Sequence, residues 1–341
     1  MLEFFYEYGL FVAKSLTWVL AIVLLVALVT SVIAKQKQLA ERLEVDDISA
    51  RLRRQKQRLQ LASAVTEAER KALKQEVKRA KKEAKKAAAT LKPKLYVLDF
   101  KGSMDAHEVS DLSLEVTALL QLAQPGDEVL LRLESGGGVV HGYGLAAAEL
   151  GRLKEHGLKL SIAIDKVAAS GGYMMACVGE QILAAPFAIV GSIGVVAQLP
   201  NFNKLLKKKD IDIELHTAGQ YKRTLTLFGE NDDEGRAKFR EELEVIHQRF
   251  KEFIRANRPA LVLDKVATGE HWLATDAKEL GLVDRLMTSS QYLLDKADSH
   301  HVISLRHKPK QTLKDKLAKA AEAGVSRGLL KLYEAGQRPF G

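Results

Sequence analysis

The chain has 341 residues, enough for one large catalytic domain with attached segments, because single cores seldom grow past about 250 to 300 residues. Much of its net charge of +9 lies in the amino-terminal third and again after Arg306, beside an apolar segment, so we expect these basic residues to meet anionic lipid and not nucleic acid. Cys177 is the only cysteine, which excludes an internal disulfide and any cysteine-based metal or redox cluster.

Residues 16–34 carry no charge and are long enough to cross a hydrocarbon layer of roughly 30 Å as a helix. A cleaved signal peptide fits less well, because the apolar run is long, Glu3 and Glu7 precede it and no clear cleavage site follows. We therefore predict an N-terminal segment at 1–15 and a retained single-pass transmembrane helix, with the lipid bilayer as a partner.

The basic residues are distributed unevenly about this predicted span. Only Lys14 precedes it, whereas six basic residues follow it within the next twenty positions. By the positive-inside rule, the bulk of the chain would lie in the cytoplasm. The residues that follow the span are Lys35, Lys37, Arg42, Arg51, Arg53 and Arg54.

Residues 35–93 form a charged segment without glycine or an internal proline. Their Ala, Glu, Gln, Lys and Arg content predicts a helical stalk that ends at Pro93. Leu52, Leu59 and Leu73 share a seven-residue register, but the weak positions between them make a poor coiled-coil seam. We expect a solvated stalk, with lipid headgroups as the next choice of contact.

After Pro93 the pattern changes to short apolar runs of strand length that alternate with helical patterns. This alternation predicts an α/β fold with a largely parallel sheet, in which the strand ends and the loops after them carry the chemistry. The predicted strands are 95–100, 128–133 and 158–164, and the predicted helices are 107–122 and 144–154.

Glycine clusters follow two of these strands. Gly136, Gly137 and Gly138 come after the second strand, where they form either a flexible turn or a loop whose amides face outward to bind an oxyanion. Ser170 comes after the third strand and opens an apolar helix at Gly171. Ser170 is therefore either a helix N-cap or a nucleophile at the positive end of a helix.

A serine nucleophile needs a base, and Lys222 is the better candidate. It follows a predicted strand at 213–217 and a turn, which places it at the same kind of strand end, and burial would have to lower its pKa. No motif pairs a histidine with Ser170, although the sequence leaves a Ser-His arrangement open. The histidines near predicted loops and helix ends, expected at the surface, are His107, His141 and His156.

Five motifs in this order resemble the signal peptide peptidase A family of Ser-Lys serine peptidases, and in particular its short inner-membrane members. The resemblance covers about residues 94–286 and implies a ClpP/crotonase-like domain of stacked ββα units, which we place at 94–290. It also implies peptide-bond hydrolysis without metal or cofactor. The motifs are Ser135-Gly136-Gly137-Gly138, Ala169-Ser170-Gly171-Gly172-Tyr173, Gly191-Ser192-Ile193-Gly194, Gly219-Gln220-Tyr221-Lys222-Arg223, and Thr268-Gly269 followed by Gly281-Leu282-Val283-Asp284.

The resemblance also implies a role for each site residue. Ser170 would be the nucleophile and Lys222 the general base, and Ser192 would hold the lysine amine in place. The amides of Gly137 and Gly171 would bind the tetrahedral oxyanion. The chain departs from the family pattern at Gly136, where a proline is common, and at 224–230, which lacks the usual serine-proline pattern.

The family further implies a catalytic domain on the periplasmic side of the bacterial inner membrane, against the charge asymmetry, and here we follow the family. The expected substrates are unfolded or membrane-derived polypeptides. Tyr173, Met174 and Met175 would line an apolar site or belong to the core. A homo-oligomer is expected, in which Lys222 could serve the Ser170 of a neighbour.

The predicted helix at 233–257 would pack in that assembly or cover its own sheet. Residues 291–341 are predicted as a basic helical C-terminal tail. Two other classes stay open: an inactive membrane scaffold of the same fold, and a crotonase-type acyl-CoA enzyme, which would not need Ser170, Ser192 and Lys222 together.

Overall fold

The computed structural model describes residues 43–86 and 92–308. Residues 44–306 form one compact unit, and the second unit, residues 1–43 and 307–341, lies almost wholly outside the described ranges. The predicted segment 1–15, the predicted span 16–34 and the tail from residue 309 onward are therefore outside the description. Within the described ranges, no helix has the length and apolar character that crossing a bilayer requires.

The described residues contain ten strands joined in one sheet. Along its main path the order is β1-β10-β2-β3-β4-β6-β9, while β5 lies beside β3 and β7, and β8 lies beside β7. The strands are β1 (Leu43–Asp47), β2 (Lys94–Gly102), β3 (Glu128–Ser135), β4 (Lys159–Ile164), β5 (Val167–Ala169), β6 (Gln181–Ala184), β7 (Ile189–Gly191), β8 (His271–Leu273), β9 (Arg285–Leu286) and β10 (His301–His307).

The predicted α/β fold with a largely parallel sheet is confirmed. The pairs formed by β10, β2, β3, β4, β6 and β9 are parallel, as are those that join β5 to β3 and β7. Only β8 runs antiparallel to its neighbour β7 among the registered pairs of the described residues. Successive residues of β2 from Leu95 to Leu98 are all buried, as expected for a parallel strand covered on both faces.

Helices cover the sheet, and those after β2 include the two that the sequence predicts at 107–122 and 144–154. The helix α4 packs on β4, on α3 and on α5. The described helices are α1 (Ile48–Ser63), α2 (Glu67–Lys86), α3 (Val109–Leu120), α4 (Val140–Glu155), α5 (Gly171–Ala176), α6 (Asn203–Lys207), α7 (Asp233–Asn257), α8 (Leu263–Val266), α9 (Ala274–Glu279) and α10 (Ser289–Lys296).

The first turn of α1, which lies within the predicted stalk, belongs to the core. Ile48 of α1 packs in the same buried cluster as Leu95, Leu130 and Val302, which come from β2, β3 and β10. The backbone N–H of Val302 donates to the Ser49 hydroxyl at 2.9 Å. These contacts stabilise the start of α1 against the sheet, whereas the rest of α1 and the described part of α2 are mostly exposed, as a solvated stalk would be.

Two strands at the ends of this unit correct the prediction. Leu43–Asp47 is a strand, although the sequence predicts helix throughout 35–93, and it lies beside β10. His301–His307 is also a strand, although 291–341 is predicted as a helical tail. β10 covers the edge of β2, with which it pairs in parallel through His301 and Lys94, and β1 in turn lies beside β10.

Residues 195–232 contain little regular structure apart from α6. The strand predicted at 213–217 is wrong: these residues are not in a strand, and Ile213 and Leu215 are exposed. A strand needs a partner, and no strand of the described chain lies beside this one. In contrast, the helix predicted at 233–257 is confirmed as α7, which packs on α5 and buries Phe250 and Ile254.

Candidate active site

The parallel sheet brings the ends of β3, β5 and β7 together. Ser135 at the end of β3 pairs with Ala168 of β5, and Ala169 pairs with Gly191 at the end of β7. Ser170 and Ser192 are therefore the first residues after a matched pair on neighbouring strands. The two serines and the glycine loop after β3 line one cavity, as expected of loops at the carboxyl ends of parallel strands.

Ser170 stands at a sharp turn between β5 and α5. Its φ of 51° and ψ of −118° lie in a region that residues other than glycine rarely adopt, and its N–H donates to the Gly191 carbonyl at 2.8 Å. Although Ser170 occupies the N-cap position of α5, its side chain makes no capping hydrogen bond. The capping explanation therefore fails, and the hydroxyl remains available at the cavity.

The Gly171 amide opens α5 beside this hydroxyl. As the first residue of a helix it has no carbonyl of the preceding turn to bind, so its N–H is suited to a ligand with negative charge. A Cβ on Gly171 would lie 2.4 Å from Cγ of Tyr143, so only glycine fits against that ring. The predicted donor is thus placed next to Ser170.

The glycine loop after β3 meets Ser170 at Gly137, whose φ is +86°. A Cβ on Gly137 would lie 2.7 Å from Cβ of Ser170 and 2.8 Å from the Gly171 nitrogen. The structure therefore places Gly137 beside Ser170 and the Gly171 amide. Its N–H donates to the Ser135 hydroxyl at 3.0 Å, so that donor is already bound within the described chain.

A buried hydroxyl pair supports the loop from behind. The Ser135 and Tyr143 hydroxyl oxygens are 2.5 Å apart, and the Tyr143 hydroxyl donates to the Ser103 carbonyl at 2.8 Å. Burial is the main cause that raises the pKa of Tyr143, so this phenol stays neutral. These bonds connect the end of β2, the end of β3 and α4 beneath Gly137, and they fix the position of the loop.

Ser192 has the second unusual serine conformation, with a φ of 52°. Its N–H donates to the Glu270 carbonyl at 2.6 Å, and the Gly269 N–H donates to the Ile193 carbonyl at 3.1 Å. These two bonds attach the loop after β7 to the Thr268-Gly269 motif, and Thr268 and Gly269 also line the cavity.

The cavity has a volume of about 760 Å³, and many of its lining side chains are apolar. Met174 lines it, as the sequence interpretation allowed, whereas Tyr173 and Met175 are fully buried in the core. The Tyr173 hydroxyl donates to the Leu282 carbonyl at 3.1 Å, so the Gly281-Leu282-Val283-Asp284 motif has a structural contact. The apolar side chains of the cavity come from Met104, Val139, Val140, Met174, Val195, Val196, Ile246 and Phe250.

Lys222 is the predicted site residue that the structure does not bring to the others. It is exposed, it lies in a turn closed by its own N–H and the Gly219 carbonyl at 3.1 Å, and it is not among the residues that line the cavity. The reason is the missing strand at 213–217, since a strand there would have fixed the lysine at the sheet. Ser170, Ser192, Gly137 and Gly171 are thus together, and Lys222 is apart.

Cys177 and the three histidines expected at the surface are excluded as nucleophile or base by burial or by position. Burial raises the pKa of the Cys177 thiol to about 12, so this residue remains protonated. The three histidines expected at the surface, His107, His141 and His156, are all exposed. None of them lines the cavity.

Sequence reasoning missed one polar residue of the cavity, His247 of α7. It follows Leu243 by four positions and precedes Phe250 by three, so it shares the apolar face of an amphipathic helix. A histidine at helical spacing among large apolar residues is the signal that could have identified it. Its Nε2 atom is buried and has no hydrogen-bond partner among the described residues.

Comparison with known proteins identifies the family of the chain. The family description "Peptidase family S49 N-terminal" matches residues 3–150, and "Peptidase family S49" matches residues 152–303. The chain is 46% identical over 325 residues to the probable protease SohB of Haemophilus influenzae, covering 92% of each chain. It is 48% identical over 301 residues to the probable protease SohB of Buchnera aphidicola subsp. Schizaphis graminum, covering 87% of this chain and 88% of that one.

A solved structure of the 1510-N membrane-bound stomatin-specific protease, a lysine-to-alanine mutant in complex with a substrate peptide, is 15% identical with a TM-score of 0.40. It covers 68% of this chain and 99% of its own. The family matches and the high identity to SohB proteases over most of the chain confirm the predicted family and favour a peptidase over an acyl-CoA enzyme. The chain therefore belongs to peptidase family S49.

Proposed function

We propose that the protein is a serine endopeptidase with Ser170 as nucleophile and Lys222 as general base, acting on unfolded or membrane-derived polypeptides. The observation that carries the proposal is the conformation of Ser170, a non-glycine residue with positive φ whose hydroxyl caps no helix and faces a cavity beside the Gly171 amide. A strained serine at a strand-to-helix turn is how a hydroxyl is presented to a carbonyl.

In the proposed reaction, Ser170 Oγ attacks the carbonyl carbon of the scissile peptide bond while its proton passes to the Lys222 amine as general base. The tetrahedral oxyanion accepts hydrogen bonds from the Gly171 amide and from the glycine loop. Gly137 can contribute if its N–H turns from the Ser135 hydroxyl, and the Gly138 amide of the same loop is the alternative donor. The leaving amine takes the proton from Lys222, and water then releases the acyl group from Ser170.

Ser192 is assigned the role of orienting the lysine amine. Its place one residue beyond the β5–β7 pair, like that of Ser170, supports this assignment. Lys222 must approach Ser170 for the dyad to form, and two arrangements allow it. Either residues 195–232 close over the cavity of their own chain, or they reach the cavity of a neighbouring subunit in a homo-oligomer.

The proposal keeps the remaining parts of the sequence interpretation. The domain would be ClpP/crotonase-like, and a transmembrane helix at 16–34 would anchor it in the bacterial inner membrane with the catalytic domain in the periplasm. The relatives are named as proteases, and the apolar cavity suits extended chains with apolar side chains.

The test is cleavage of an unfolded, fluorescently labelled protein by the full chain purified in detergent. We expect Ser170→Ala and Lys222→Ala each to lower kcat/KM by at least about 10³-fold, because each removes one half of a unit that acts together. Lys209→Ala is the matched control, since Lys209 is an exposed lysine of the same segment, and it should stay within about twofold of the parent. Equal cleavage by all variants would refute the mechanism.

Mixing the two inactive variants distinguishes the two arrangements. If Lys222 serves a neighbouring subunit, Ser170→Ala and Lys222→Ala chains exchanged in one oligomer restore part of the activity. If the dyad forms within one chain, the mixture stays inactive. Absence of cleavage by the parent itself, under conditions that preserve its fold, would favour the inactive scaffold.

A further inference from the structure

His247 differs chemically from its surroundings in the cavity. Ile246 and Phe250 on the same helix, and Met174 and Val196 on facing segments, present apolar side chains to the same space. The Nε2 atom of His247 is shielded from solvent and has no hydrogen-bond partner in the described part of the chain. Among the described residues, His247 Nε2 is the one buried side-chain nitrogen or oxygen atom without a hydrogen-bond partner.

An unpaired buried imidazole nitrogen destabilises the folded state, because its hydrogen bond to water is lost and nothing replaces it. A leucine or phenylalanine at position 247 would fill the same space between Leu243 and Phe250 without that loss. Residues that oppose stability in this way are expected where function requires them. The histidine is therefore explained better by a ligand of the cavity than by packing.

A bound polypeptide would supply the hydrogen-bond partner that His247 Nε2 lacks. An extended chain presents an N–H and a carbonyl at every residue, and a neutral imidazole can accept from the one or donate to the other. The apolar neighbours of His247 would contact a side chain of the same peptide. A histidine that only binds peptide has no need to touch the Ser170 hydroxyl.

We propose that His247 is a substrate-binding residue that hydrogen-bonds to the backbone of a polypeptide in the cavity, next to a subsite for an apolar side chain. This inference rests on the proposed peptidase function and adds a residue that determines substrate affinity. The imidazole contributes to binding, and the chemistry stays with Ser170 and its base.

Two kinds of variant separate hydrogen bonding from packing. His247→Phe keeps an aromatic side chain, somewhat larger than imidazole, and removes both nitrogens, and His247→Leu removes both nitrogens with an apolar group closer to histidine in volume. His247→Gln places an amide near the position of Nε2 and should rescue binding. With a fluorogenic peptide that carries an apolar side chain, we expect His247→Phe to raise KM about 5- to 10-fold with kcat little changed, the effect of one lost hydrogen bond.

Two further measurements identify the cause. In a Ser170→Ala background, the Kd of the uncleaved peptide should rise by the same factor on adding His247→Phe. A small fluorophosphonate, which reacts with the serine hydroxyl but does not fill the cavity, should react at the parental rate with His247→Phe. The thermal midpoint of His247→Phe should equal or exceed that of the parent, because an unpaired polar group has been removed.

The outcomes distinguish this inference from the proposed function. Parental KM and Kd for both His247→Phe and His247→Leu, with Ser170→Ala inactive, would overturn the role of His247 and leave the peptidase mechanism intact. Loss of fluorophosphonate reaction and of kcat in folded His247→Phe would instead make His247 part of the chemistry, against the binding role. A parent without any Ser170-dependent reaction would overturn both.

Discussion

At the scale of single residues, the site depends on two serines in conformations that serine seldom adopts. Ser170 and Ser192 have φ values of 51° and 52°, each of which costs on the order of 1–3 kcal/mol. Backbone hydrogen bonds offset this cost. The Ser170 N–H donates to the Gly191 carbonyl, and the Ser192 N–H donates to the Glu270 carbonyl. Such strain persists where surrounding structure holds it, and both serines line the cavity.

Gly136 and Gly137 both line the cavity but differ in the free space around them. Their alanine variants therefore form a matched pair. Gly137→Ala would place a methyl group 2.7 Å from Cβ of Ser170 at a φ of +86°, whereas a Cβ at Gly136 meets nothing within 4 Å. We expect Gly137→Ala to lower kcat/KM by about 10²-fold or more, the size of a lost oxyanion contact. Gly136→Ala should remain near the parent.

Peptide hydrolysis and thermal unfolding of both variants check this prediction. Gly137→Ala will also lower the unfolding temperature, so activity is compared at a temperature where both variants are folded. Equal activity of the two alanine variants would show that the close approach of Gly137 to Ser170 has no part in the reaction.

The sequence identified the residues that lie at strand ends and missed those whose position depends on packing. Ser170, Gly171 and Gly137 could be predicted because a serine and glycines directly follow apolar strands. His247 could not be assigned a role, because an amphipathic helix shows which face is buried but not that this face borders a cavity. The position of Lys222 depends on a segment that no strand holds.

At the scale of elements, a carboxylate joins three strands of the sheet. Asp99 of β2 accepts hydrogen bonds from Arg132 of β3, at 2.5 and 2.8 Å, and from Arg306 of β10. Burial raises the pKa of the Asp99 carboxyl, but the hydrogen bonds and charges of the two arginines outweigh it and hold the pKa below its usual value of 3.8. The bond to Arg306 is one reason that β10 stays at this edge of the sheet.

This arrangement predicts a dependence of stability on pH. We expect Asp99→Asn to lower the free energy of unfolding by about 1–3 kcal/mol at pH 7, because hydrogen bonds to a charged group are lost. The unfolded carboxyl ionises near pH 3.9 and the folded one at a lower pH. The difference in unfolding free energy between parent and Asp99→Asn therefore has its full size well above pH 4. It shrinks as the pH falls through the pKa of Asp99 in the folded state.

Urea unfolding of the two chains between pH 3 and pH 7 measures this difference. Glu155→Gln serves as the control, because Glu155 is an exposed carboxylate at the end of α4. Its unfolding free energy should stay close to that of the parent at every pH. A difference between Asp99→Asn and parent that persists unchanged at pH 3 would contradict the assigned cause.

Elements with a continuous apolar run could be predicted from the sequence, and those defined by their neighbours could not. The strands β2, β3 and β4 match predicted runs, and α7 matches its predicted bounds. The strand Leu43–Asp47 carries charged residues within a helix-favouring composition, so only its pairing beside β10 explains it. The alternating residues at 213–217 suggest a strand, but no partner strand is present among the described ones.

At the scale of the whole molecule, residues 196–228 expose a large amount of apolar surface. Ten large apolar or aromatic side chains of this segment are at least a third exposed, and Lys222 lies among them. Soluble surfaces seldom present so many together unless another molecule covers them. The residues are Val196, Leu199, Phe202, Leu205, Ile211, Ile213, Leu215, Tyr221, Leu227 and Phe228.

We expect this segment to contact a second copy of the chain, in agreement with the homo-oligomer anticipated from the sequence. The double variant Leu205→Glu with Leu215→Glu should lower the oligomeric mass, because it places charges in the proposed contact, and should reduce kcat/KM with it. Both side chains are about half exposed, so they can change without loss of fold. Lys209→Glu places the same charge on a polar position of the segment and should leave the mass unchanged.

Light scattering with the detergent contribution subtracted gives the mass of each variant. A double variant that keeps the parental mass and the parental kcat/KM would exclude this segment as a subunit contact. A lower mass with full activity would show that the dyad does not need the assembly, and would favour closure of the segment over its own cavity.

The pairing of Ala169 with Gly191 has a consequence for how such an enzyme could be controlled. Neighbouring strands are held about 4.8 Å apart, so the distance between the two serine backbones is set by the sheet and is already present in an isolated chain. The lysine is carried on a surface segment outside that framework. Under the proposed mechanism, a newly made chain would fold completely while remaining harmless to other proteins, and hydrolysis would begin only when Lys222 reaches Ser170.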